Sequence, residues 1–202
     1  MPRLSTELRA QRRQHVLTSA WRCFSRDGFH ATSMDDIIAE SGISSSAVYR
    51  YFRSKDELIE AAADESSSLL RGFFARMLGQ DPTPTPAETV TALVEQFVER
   101  TSHPDYDLTK IAIYSWAEAL RQPDVGAHTR AFYLDIRERL TELALRWQAE
   151  GYIARTANPR DMATLLMALL PGLVVTHHLV GSVSAHEIVA GLATLGVSIA
   201  AG

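Results

Sequence analysis

Between residues 44 and 55 the chain crowds hydroxyls, phenols and fixed positive charge. Ser44, Ser45 and Ser46 lead into Ala47, then Tyr49, Arg50 and Tyr51, then Lys55. These side chains suit hydrogen bonding to a polyanion. An arginine fork matches the acceptor pair on a guanine edge, whereas lysine, tyrosine and serine serve phosphate oxygens. Thr32 and Ser33 add two hydroxyls at a predicted helix start, where free N–H groups favour anions. The Asp35–Asp36 pair is better explained by that helix start than by acid–base chemistry. No nucleophile motif and no nucleotide-binding glycine loop occurs, so an enzyme is not expected.

Short helices must position these groups. Ser33 reads as an N-cap, with Asp36 at the capping-box position. Ile37 and Ile38 give the first helix an apolar side, and Gly42 can leave it with positive φ. Ile43 plugs the turn. Ser44 can cap a second helix from Ser45 to about Tyr51, with Val48 and Phe52 on one face. Ser54 begins another cap, with Glu57 three residues on. Two short helices around a glycine turn are the helix-turn-helix pattern, whose second helix enters the DNA major groove. Ser45, Ser46 and Ala47 lie at its base-facing end, and Arg50 follows on the same side as Ser46.

From Val16 to Leu58 the chain resembles the TetR family of bacterial transcriptional regulators. The resemblance rests on Val16, Ala20, Phe24, Gly28, Phe29, Thr32, Ser33, Ile37, Gly42, Ile43 and Ser44, and on the run from Ala47 to Lys55. Ile38 and Ser41 depart from the family's usual alanines. The resemblance implies that Tyr49, Tyr51 and Lys55 touch phosphates. It also implies a homodimer joined through a four-helix bundle of the last two long helices, and an effector cavity among helices 5 to 8 whose occupancy helix 4 relays.

Net charge is −4, unusual for a DNA binder until it is divided. Residues 1–55 carry nine Lys and Arg against five Asp and Glu; the rest carry eleven against nineteen. Phosphate attraction needs local positive charge, and the basic end coincides with the helix-turn-helix. Arg3, Arg9, Arg12 and Arg13 fit phosphate contact and a solvated helix face equally well. The single cysteine, Cys23, sits on the apolar stripe of helix 1 and reads as core. The N-terminus lacks the apolar run of a secretory signal, and a cytoplasmic location is expected.

The remaining chain reads as helices. Helix 4 spans about Lys55 to Leu78. Thr85, Pro86 and Glu88 open helix 5, and helix 6 covers about 105–121. Helix 7 runs to Glu150 with Ile136, Leu140, Leu143 and Trp147 inward. Asn158 and Pro159 open helix 8; Ser184 and Glu187 open helix 9. No period-two stretch supports a strand. The expected fold is all-α with about nine helices: a DNA-binding head over residues 1–54 and a helical regulatory domain over residues 55–202.

Helix 8 is apolar almost all round, which calls for two partners or a membrane. Pro171–Gly172 and the His177–His178 pair disfavour the membrane. Its own domain and a second subunit are therefore expected on its two sides, with Leu165, Leu169, Leu173, Leu192, Leu195 and Ile199 at the dimer interface. The effector cavity implied by the resemblance has Phe97, Trp116, Phe132 and Met167 as candidate liners, although core packing explains any one of these alone. Such a pocket suits a neutral or weakly polar molecule. Adjacent histidines diverge by about 100° on a helix and do not share an ion easily, so neither metal nor cofactor is expected. The sequence thus reads as a ligand-responsive repressor on a palindromic operator, with a ligand-independent DNA-binding dimer as the first alternative and an enzyme in the helical domain as the second.

Overall fold

The computed structural model describes residues 6–101, 104–181 and 184–194. Nine helices and no strand occupy these residues: α1 (Thr6–Ala31), α2 (Met34–Ser41), α3 (Ser45–Tyr49), α4 (Lys55–Leu78), α5 (Pro86–Thr101), α6 (Leu108–Ala119), α7 (Pro123–Glu150), α8 (Pro159–Leu179) and α9 (Ala185–Thr194).

The helix ends follow their capping chemistry. Helical geometry in α1 breaks at Gly28, with φ 79° and ψ 171°. A Cβ there would meet the Tyr114 ring in ordinary contact at 3.4 Å, so it is the backbone angle that favours glycine. At α2, the Ser33 hydroxyl accepts from the Asp36 N–H at 3.2 Å and the Asp36 carboxylate accepts from the Ser33 N–H at 2.8 Å. The Ser33 hydroxyl also donates to the Asp36 carboxylate at 2.6 Å, and this bond, with the one from the Ser33 N–H, holds the Asp36 carboxyl below its ordinary pKa. Gly42 closes α2 in the left-handed region. Thr85 and Glu88 form the same reciprocal pair at the start of α5. Two boundaries differ from expectation. α3 stops at Tyr49, and both Tyr51 and Phe52 turn back to the Val48 carbonyl. α6 begins only at Leu108, because Asp107 caps it by accepting from the Thr109 and Lys110 N–H groups.

Two apolar cores organise the chain. The first joins Val16, Phe24, Ile37, Val48 and Phe52 to Leu58 and Ala62 of α4 and to Leu108 and Ile111 of α6. The division expected between residues 54 and 55 falls inside this core. The second joins Phe73 and Phe74 of α4 to the inward stripe of α7, which is Ile136, Leu140, Leu143 and Trp147 as predicted. Ala163 and Leu166 of α8 close it. The Trp147 indole also donates to the Pro84 carbonyl at 2.7 Å, which fixes the loop before α5.

Helix α8 buries Ala163, Leu166, Leu173 and Val174 but leaves Leu165, Val175 and Leu179 exposed. Among the described residues it alone is long and apolar enough to cross a membrane, with a mean hydropathy of 1.6.

Trp147→Phe keeps most of the ring volume but strands the buried Pro84 carbonyl. It should destabilise the protein by about 1–3 kcal/mol. Denaturant unfolding would register this as a lower midpoint; an unchanged midpoint would mean that the bond contributes nothing.

Candidate DNA interface and internal cavity

The first site is the outer face of the head. Val48 is fully buried and pins α3 down. Its neighbours Ser45, Ser46, Tyr49 and Arg50 are exposed. Ser44 occupies the N-cap position, yet its hydroxyl pairs with Ser46 at 3.2 Å and caps no backbone N–H. The α3 N-terminus therefore presents free N–H groups and a serine cluster outward. α1 braces α2 and α3 from behind. His15 Nε2 lies 2.8 Å from the Ser41 carbonyl oxygen. Arg22 and Arg26 reach Glu40 at 3.8 and 3.5 Å. The Arg13 guanidinium lies 4.7 Å over the Phe52 ring.

Behind the head lies a cavity of about 140 Å³. α4 to α8 all contribute walls, among them Leu70, Phe97, Trp116, Phe132, Tyr133 and Leu173. Burial pushes the Tyr133 hydroxyl up to about 12. Gln96 also lines the space, and its Oε1 is buried without a hydrogen-bond partner. At the rim, His128 of α7 and Asp64 of α4 meet at 2.8 Å with both side chains largely exposed.

α6 separates the two sites. Thr109, Ala112, Ser115 and Trp116 face the cavity. On its other side Ile111 enters the head's core, and the Tyr114 ring lies 5.9 Å from Phe29. Further along, the buried Glu118 carboxylate sits 3.4 Å from His30 at the end of α1. At the start of α6, Arg22 meets Asp105 at 2.8 Å.

Residues 16–62 match the family model described as bacterial regulatory proteins, tetR family. Residues 86–195 match that of the BetI-type transcriptional repressor C-terminal domain. The chain belongs to the TetR family. It is 28% identical over 176 residues to the HTH-type transcriptional regulator UidR of Escherichia coli, covering 86% of this chain and 85% of that one. It is 29% identical over 171 residues to the nicotine-responsive repressor HdnoR of Paenarthrobacter nicotinovorans, covering 84% of each. The solved structure of Salmonella enterica GusR superposes with a TM-score of 0.74 at 27% identity, covering 98% of this chain and 99% of that one. Like its relatives, this TetR-family protein is a transcriptional regulator.

The DNA-facing residues expected of this TetR head divide by orientation. Ser33, Ser44, Ser45, Ser46, Tyr49 and Arg50 are exposed, and Ala47 is half-buried beside them. Thr32 is turned inward: it is buried, and its hydroxyl donates to the Gly28 carbonyl at 2.8 Å. Tyr51 packs on the head's core. The Lys55 ammonium donates to the Phe29 and Thr32 carbonyls at 2.8 and 2.9 Å. It thereby ties the end of α1 to the start of α4.

Two other expectations need correction. Met167 does not line the cavity; it packs against the second core. The inner face of α8 reaches the cavity through Leu170, Leu173 and Val174, about a turn further on. Leu173 and Leu192 are buried within the protomer and do not face outward. At 3.6 residues per turn, each four-residue step rotates about 40°. The stripe Leu165–Leu169–Leu173 therefore winds from the exposed side into the core. Leu195 and Ile199 lie outside the described residues.

Sequence reasoning also missed Gln96, Tyr133 and Tyr114. Gln96 carried a readable signal, since it stands three residues after Leu93 on an otherwise apolar face of α5. His177 and His178 serve within the protomer. Thr109 spends its proton on Asp107, so His178 Nε2, 2.7 Å away, must donate to Thr109. His177 sets its ring against Phe97.

Lys55→Met would leave two carbonyls without their charged donor. The expected outcome is a stability loss of about 1–3 kcal/mol with an unchanged salt slope of DNA binding. A slope shallower by about one unit would instead assign Lys55 to a phosphate.

Proposed function

We propose that this regulator is a repressor that binds a palindromic operator as a homodimer and is released by a small, mostly apolar effector held in the internal cavity. The observation that carries this reading is the double role of α6. One side of that helix walls the cavity, and the other packs against Phe29 and the rest of the head. An occupant that displaces α6 would therefore move the head. A ligand acts only as far as it binds one arrangement better than the other. The ligand-independent alternative would suit a packed, cavity-free regulatory domain, and the cavity among α4 to α8 argues against it. The name of the nicotine-responsive relative adds support for a small-molecule effector.

In the dimer, the outer face of α8 meets its counterpart. Leu165, Ala168, Gly172, Val175 and Leu179 recur there at three- and four-residue steps and are all exposed in the single chain. Ala190, Gly191 and Thr194 of α9 are exposed and small, which permits close helix approach. Covering this face in the dimer, rather than in a membrane, accounts for the composition of α8. The cytoplasm is the compartment in which such a protein meets DNA. Two copies of α3 would then enter successive major grooves about 34–36 Å apart. Ser45, Ser46 and Arg50 would read base edges, and Ser33, Ser44 and Tyr49 would hold phosphates.

Sedimentation at micromolar concentration should report a dimer; a monomer would overturn the paired-head reading. Arg50→Ala should compress the spread of affinities among operator variants by about 1–3 kcal/mol at one base position. If relative affinities do not move, Arg50 does not read bases.

A further inference from the structure

The cavity restricts its occupant by size, charge and hydrogen bonding. Its volume of about 140 Å³ is close to the ~150 Å³ of an apolar protein cavity that takes up benzene. That leaves room for one ring with a small substituent. The walls are ring faces and edges of Phe97, Trp116, Phe132 and Tyr133, which favour an aromatic guest in offset or edge contact.

No Asp, Glu, Lys or Arg is among the lining residues. His128 is, but it sits at the rim with Asp64 2.8 Å away. An ionised guest would give up hydration without meeting a counter-charge.

The polar groups are specific about what they lack. Thr109 donates to Asp107 at 2.6 Å, and Ser115 donates to the Ile111 carbonyl at 2.9 Å. Gln96 Oε1 is buried with no donor. Such an acceptor is costly unless the occupant supplies a proton. The Tyr133 hydroxyl, which also lines the space, can donate its proton or accept one. A group that both donates and accepts would meet both needs, and a hydroxyl is the smallest such group.

On the reading of this cavity as the effector site, we propose that the effector is an uncharged, single-ring phenol whose hydroxyl donates to Gln96 Oε1. Calorimetric titration of the full chain with phenol, toluene, benzoate and tetramethylammonium tests this, with operator affinity measured at saturating phenol. Phenol should bind about tenfold more tightly than toluene, the share of one buried hydrogen bond. The two ions should bind more weakly still. In Gln96→Leu, phenol and toluene should come within about twofold of each other, again judged against a single hydrogen bond. Equal binding of phenol and toluene to the wild type would overturn the hydroxyl assignment and leave the cavity as a site; this comparison decides even if the variant does not fold. Tighter binding of benzoate or tetramethylammonium, or no binding of any of the four, would overturn the proposed class. Phenol bound with the expected preference but without effect on operator affinity would overturn the effector-site reading itself.

Discussion

α6 stands between the head's core and the cavity, and the rest of the molecule is arranged around that constraint. Ile111 is buried with the head, Ala112 and Trp116 face the cavity, and Leu108 touches both. A helix turns about 100° per residue, so neighbouring positions serve opposite sides without a break in the backbone. Interiors packed at crystal-like density transmit displacement rather than absorb it. Gly28 bends the end of α1 with its positive φ, and the Tyr114 ring lies beside that bend. Polar contacts flank this apolar seam at both ends, Arg22 with Asp105 and His30 with Glu118.

The head is built as a rigid unit. Its short helices are too brief to be stable alone. Capping at Ser33 and Ser54, burial of Ile37, Val48 and Phe52, and the Lys55 tie to two carbonyls hold them in place. On the proposed dimeric reading, such bracing suits a surface whose two copies would keep a fixed separation on DNA. The regulatory part holds its open space beside a dense core around Trp147, so the cavity has a firm floor and a wall in contact with the head.

Most of the fold was legible because its signals are local. Caps at Ser33, Thr85, Asn158 and Ser184 and the glycine at 42 set helix ends within a residue or so. The long stripe of α7 likewise needed only its own periodicity. What escaped depended on contacts distant in sequence. Lys55 has the chemistry of a phosphate ligand, and only the folded chain brings Phe29 and Thr32 to its ammonium. Met167 and Leu173 are both apolar positions of α8, and only its neighbours decide which of them meets open space. Leu165 and Leu173 look equivalent by spacing, yet the rotation between them places one outside and the other in the core.

The central claim is that filling the cavity moves the head. Ala112 lies on the cavity side of α6, so Ala112→Trp places a ring where an effector would sit. The decisive measurement is the operator affinity of this variant, with its melting temperature and sedimentation recorded alongside. A folded dimer that binds operator at least tenfold more weakly than the wild type is the predicted result. A folded dimer with unchanged operator affinity would contradict the account.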